Sequence, residues 1–286
     1  MPSRLCVLVL TGLLFLGVSL PTIGQDSAQK TISFNDGSVD YKGTTFKFDK
    51  SVASEVKAQT LEASLASAKE SAPFDTIYPQ HISFDLVGTY TAQPESFIKP
   101  EIKIYSVRDY EQAFAADPKS KREVVATITR MREILRTKQL PPKGDIPTLP
   151  IPDGYYAFVS HTSFVRFANG VGVAFLTQGQ QDEMPVNNQN LSYEFQGMTD
   201  DGRYYVTAEF PVAAPFLAFD RDKANYGGTV KESKCYQCAD HQRFVGEYRA
   251  YVNKMKAQLQ QLPVEKFQPS LAAFDDLIRS INISSR

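Results

Sequence analysis

The chain has 286 residues, with 31 Lys and Arg against 32 Asp and Glu, and a formal net charge of −1. That balance lacks the basic excess of a general nucleic-acid binder, so no nucleic-acid partner is expected. Hydrophobic residues make up 42% of the chain, with 19 Phe and 14 Tyr, which excludes a disordered polymer and supplies a packed core.

Residues 1–24 read as a secretion signal. Arg4 is the one charge, an apolar run follows from Leu5 to Leu20, and Pro21 breaks it. Thr22 and Gly24 are small residues at the spacing a signal peptidase needs, which places the cut after Gly24. The apolar run is also near the length of a membrane span, so an uncleaved anchor is the alternative. Cys6 lies inside the run and not behind a lipobox at its end, which argues against a lipid anchor. Residues 25–286 are then expected to form a single α+β domain, periplasmic or extracellular, with no transmembrane span after signal cleavage.

Between Thr31 and Lys50 the sequence predicts two short strands around the turn Asn35-Asp-Gly37. Residues 51–73, rich in Ala, Ser and Glu, predict a weak helix or an irregular surface segment. His81 to Tyr90 is a strand with Ile82, Phe84 and Leu86 on one face and Ser83 and Asp85 on the other. Glu101 to Val107 continues in that style, and Tyr110 and Phe114 follow at helical spacing. Val124, Ile128, Met131 and Leu135 define an amphipathic helix over about Lys121 to Lys138, ended by Pro141 and Pro142. Residues 139–153 carry five prolines and predict a crossing loop or a domain boundary.

Two hairpins come next. Asn169-Gly170 is a strong two-residue turn signal between Phe164–Ala168 and Val171–Phe175, pairing Phe167 with Gly172. Leu191 to Gln196 and Arg203 to Phe210 flank Thr199–Gly202, with one apolar and one polar side, the pattern of a sheet with one solvated face. Phe244, Tyr248, Tyr251, Met255 and Leu259 form one late helical stripe, and Leu271, Phe274, Ile278 and Ile281 another. The expected architecture is α+β: a twisted antiparallel sheet built from hairpins, with amphipathic helices packed on one face.

The segments Ile32-Ser-Phe-Asn35, Phe46-Lys-Phe-Asp49 and Ala53-Ser-Glu-Val56, with Asn169-Gly170, Phe175-Leu-Thr-Gln178, Asn187-Asn188, Tyr193, Phe195-Gln-Gly197 and Asp201-Gly202-Arg-Tyr-Tyr-Val206, carry a resemblance. Together they resemble a group of exported proteins of unassigned function from environmental bacteria. The resemblance covers most of the chain after residue 24. It implies a single exported module and no particular activity or site.

Cys235-Tyr-Gln-Cys238 is the sharpest chemical motif. In an oxidising compartment the pair is expected as a local disulfide. A redox dithiol poised before a helix, or a metal site completed by His241 three residues on, are the alternatives. No other cofactor is expected. Ser160 precedes His161, but neighbours on a strand point to opposite faces and no Gly-x-Ser-x-Gly elbow exists, so a hydrolase pair is not expected. Asp200-Asp201 and Asp275-Asp276 are acidic pairs in a turn and on a helix face.

Lys119, Lys121, Arg122, Arg130, Arg132, Arg136, Lys138 and Lys143 stand against Glu123 and Glu133, a local excess of +6. Such a helix face is either simply solvated or docks on an anionic envelope surface or polymer. The Gln- and Asn-rich loop Gln178–Asn190 is expected to be solvated, or to offer hydrogen bonds to a sugar or peptide. No catalytic constellation emerges. The expected function is an exported, non-catalytic binding or envelope-associated protein, with a thiol- or metal-dependent role for Cys235, Cys238 and His241 as the alternative.

Overall fold

In the computed structural model, the described residues are 30–67, 72–88, 96, 98–141, 145–222, 224, 226 and 239–284. In chain order they form β1 (Ile32–Phe34), β2 (Ser38–Tyr41), β3 (Thr44–Lys47), β4 (Glu55–Leu61), β5 (His81–Val87) and β6 (Glu101–Ser106). Next come α1 (Val107–Ala113), α2 (Pro118–Thr137), β7 (Tyr155–Phe167), β8 (Gly170–Gln180), β9 (Leu191–Thr199) and β10 (Tyr204–Pro211). The last elements are α3 (Ala239–Gln261), α4 (Leu271–Arg279) and β11 (Asn282–Ile283).

An eight-stranded sheet has the order β1-β4-β5-β6-β10-β9-β8-β7, and a three-stranded sheet the order β11-β3-β2. Every pairing between named strands is antiparallel. The fold is α+β on an antiparallel sheet. No helix among the described residues is long and apolar enough to cross a membrane.

Helices on one face were expected, yet both faces of the large sheet are covered. Successive residues of β8 divide between two cores, because side chains alternate across a strand. Ala174 and Leu176 join Phe195, Val206, Phe210, Tyr248 and Phe274 beneath α3, α4 and the small sheet. Val173 and Phe175 join Tyr205, Tyr110, Val124, Ile128 and Met131 beneath α1 and α2. The polar side of the hairpin strands was read as solvated. In fact every residue of β9 is buried, because the Pro-rich segment also packs there. Ile146 and Leu149 of that segment are core residues, so its described part is a packed crossing loop.

Two local readings also change. Residues 55–61 form β4, whose inward positions Val56 and Ala58 are fully buried. Their small side chains gave too little apolar contrast to mark a strand. The β7–β8 hairpin pairs Phe167 with Gly170 and Val165 with Gly172, so its turn is Ala168-Asn169. Asn169 is recruited by the C-terminal strand instead. Its amide donates to Ile283 O at 2.6 Å, and its carbonyl oxygen accepts from Ile283 N at 3.1 Å.

Candidate functional site

β7 is an edge strand, which leaves its outer side to be covered. Two register shifts break its ladder, between Tyr156 and Val159 and between Ser160 and Ser163. His161 lies in the second break with a positive φ of 45°. Its backbone N–H donates to Gln260 Oε1 at 3.0 Å, and its Nε2 lies 2.7 Å from Leu259 O. Both partners belong to the end of α3. His161 is therefore a strut that fixes the helix along the sheet edge, and Ser160 takes no part.

Between the start of β7 and α3 lies a cleft of about 490 Å³, within the usual size of a small-molecule site. Tyr155, Tyr156 and Glu183 line one wall. Tyr248, Arg249 and Asn253 line the other. Tyr248, Arg249 and Val252 recur at helical spacing, which turns one face of α3 into the cleft. Tyr155 is 43% exposed and yet held in place. The buried Gln180 amide donates to Tyr155 Oη at 3.0 Å and to Tyr248 Oη at 2.7 Å. Tyr248 Oη also lies 3.2 Å from Met184 O. One glutamine thus ties the two phenol groups together. Burial raises both phenols above the ordinary tyrosine range, so they stay neutral donors.

Tyr156 reaches from this cleft into the sheet, donating to Glu194 Oε2 at 2.6 Å. Glu194 is one of four acids aligned across neighbouring strands. Asp85 faces Glu101, Glu101 faces Glu209, and Glu209 faces Glu194. Like charges directly opposite one another are destabilising. Lys99 relieves the outer end, with contacts of 2.7 Å to Asp85 and 3.4 Å to Glu101, and Lys103 also pairs with Glu101. At the inner end neither Glu194 nor Glu209 forms an ion pair among the described residues, and only the more distant charge of Lys103 opposes the rise at Glu209. Burial pushes the Glu194 carboxyl up to about 7. Burial, then the charges of Glu194 and Glu101, push Glu209 up to about 8. These two carboxyls share protons near neutral pH and titrate as a pair. Beside them Gln196 accepts from Tyr205 Oη at 2.7 Å and from Leu149 N at 3.2 Å, while its amide donates to Thr207 Oγ1 at 3.0 Å.

Sequence reasoning missed both features. The acids occupy the polar positions of four separate strands, and only the register brings them into one row. Tyr248 read as part of a core stripe, and Tyr155 and Tyr156 stood in no motif. The loop expected to be solvated is inward-facing instead. Gln178, Gln180, Asn187 and Asn188 are buried, with Asn188 bonded to the backbone of Ala214 and Leu217.

Of the residues singled out from sequence, Cys235 and Cys238 lie outside the described residues. His241 sits in the first turns of α3, its ring 6.1 Å from that of Phe244. Among the described residues no group of three His, Cys, Asp or Glu side chains is arranged to hold a metal ion. Lys119, Lys121, Arg122, Arg130, Arg132 and Arg136 all lie on α2, and each but the partly covered Lys121 is exposed. Asp275, on α4, accepts from Tyr193 Oη at 2.7 Å and pairs with Arg279 at 3.2 Å, a packing role. No protein-family model, curated protein or solved structure matches this chain.

Proposed function

We propose that this is an exported, non-catalytic binding protein whose ligand occupies the tyrosine cleft between β7 and α3. The observation that carries the reading is the exposed Tyr155 ring, locked by Gln180 against Tyr248. A rigid aromatic face offered to solvent, with an orienting residue behind it, is the arrangement of a preorganised site. The residues around it suit a saccharide. Tyrosine provides a flat apolar platform with a polar edge, and Arg249, Glu183 and Asn253 offer donors and acceptors to ring hydroxyls. The leader-like residues 1–24 support export.

The test is calorimetric titration of the protein with a panel of soluble oligosaccharides, neutral and acidic. At least one is expected to bind in the micromolar to millimolar range. Tyr155→Ala is expected to weaken that binding about tenfold, or about 1.4 kcal/mol, with urea unfolding showing a loss of no more than about one hydrogen bond, roughly 1 kcal/mol. No binding across the panel, or equal affinity for the variant, defeats the proposal.

A further inference from the structure

At the other end of β7, roughly 35 Å along the strand from Tyr155, lies a second concavity. It is about 430 Å³ and is formed by the C-terminal half of α2 and the tips of the β7–β8 and β9–β10 hairpins. Arg132, Arg136, Lys138 and Arg166 line it, with Asp200 and Asp201. The two acids are already engaged: Asp200 with Arg166 at 2.9 Å, and Asp201 with Arg203 at 2.6 Å. Arg136 is held by Glu133 at 2.6 Å. Among the described residues neither Arg132 nor Lys138 has a carboxylate partner. Lys138 takes a left-handed φ of 57° at the end of α2, and its ammonium lies 5.2 Å from the centre of the Phe164 ring. Burial and the neighbouring Arg166 hold its pKa down, and the charge of Asp200 offsets them only in part. The groove is thus a place where cations crowd one another without enough counter-charge.

The positive charge also continues along the helix. Lys121 and Arg132 are eleven residues apart, close to three full turns, so they fall on one flank, and Arg136 follows one turn later. Lys119 and Arg130 share the same eleven-residue spacing on the opposite flank. The two flanks therefore differ in one respect: only the Lys121–Arg132–Arg136 flank runs into the groove.

We propose that this groove is a docking site for a linear chain of the cell envelope that bears regularly spaced phosphate groups. A concave, cation-walled channel continuous with a charged helix flank receives an extended chain, whereas a bilayer surface is flat. Arginine forks read two phosphate oxygens at once, and a phosphodiester keeps its charge at any envelope pH. Docking here leaves the tyrosine cleft free at the far end of the strand.

The experiment uses long-chain inorganic polyphosphate as the probe, with orthophosphate and phosphatidylglycerol vesicles as comparison arms, each titrated at rising salt. Polyphosphate is expected to bind, with affinity falling steeply as salt rises. The pair Arg132→Gln and Lys138→Gln is expected to weaken it at least about tenfold, while Lys119→Gln with Arg130→Gln changes it less than about twofold. Urea midpoints of both pairs confirm that they fold. The proposal is overturned if polyphosphate does not bind, if the two flanks weaken binding equally, or if vesicles or orthophosphate bind as tightly as the chain.

Discussion

Replacing Glu209 with Gln should change how stability depends on pH, and the sign follows from the two inner carboxyls. A glutamate in an unfolded chain titrates near 4.5, whereas Glu209 in the fold is pushed up to about 8 and Glu194 to about 7. Both folded values lie above the unfolded one, so the native state holds more protons over that interval. Stability must therefore fall as pH rises from about 4.5 to about 8, and the loss is complete above that. A displacement from 4.5 to about 8 corresponds to roughly 5 kcal/mol for Glu209 as an upper bound. Coupling within the pair and relaxation reduce this to something on the order of 2–4 kcal/mol. Urea unfolding of the wild type and Glu209→Gln, followed from pH 5.5 to 8.5, reads the effect directly. The variant should gain on the wild type steadily with pH and be the more stable protein at pH 8.5. His81, whose pKa burial lowers, opposes the trend near pH 6 but is common to both proteins and drops out of the difference. The acids held below their usual range, such as Asp201 at about 2, titrate outside the window. Parallel pH curves for the two proteins would refute the reasoning.

Other perturbations have equally definite outcomes. Gly172→Ala places a Cβ 2.3 Å from the Phe195 ring and 2.5 Å from Gln196 O, and thermal unfolding should show a loss of at least about 2 kcal/mol. Asn169→Ala removes both hydrogen bonds to Ile283. It should cost about 1–2 kcal/mol and speed amide exchange at β11 ahead of the large sheet. Gln180→Leu leaves Tyr155 Oη without its buried donor. It should lower stability by about 1–3 kcal/mol and reduce saccharide affinity even though Gln180 does not line the cleft.

The sequence made the elements legible where contrast between neighbouring residues was high. The α2 stripe Val124, Ile128, Met131 and Leu135 is buried as its spacing predicts, and β9 and β10 pair around Thr199–Gly202. It misled where burial of polar groups was at stake. Ser192, Glu194 and Gln196 alternate with Tyr193 and Phe195 as surface residues would. They are buried because they find one another, Tyr156 and the crossing loop. Partners that distant in sequence leave no local trace. The β7–β8 register went wrong for a similar reason: Asn169 sits in the turn at its second position, and its side chain is held by Ile283, 114 positions away. The basic run was plain from composition, but which of its flanks meets a groove depends on Arg166 from another strand.

The small sheet is closed by the two ends of the described chain. β11 pairs with β3, Ser280 bonds both the N–H and the carbonyl of Lys47 across 233 positions, and Ser284 N donates to Gly43 O. During synthesis the β2–β3 hairpin must wait for almost all of the remaining chain before its third strand exists, so its docking cannot begin early. The three-stranded sheet is therefore completed after the strands of the larger sheet have all been made. A product cut short before Ile281 would leave the edge of β3 unpaired at Thr44 and Thr45.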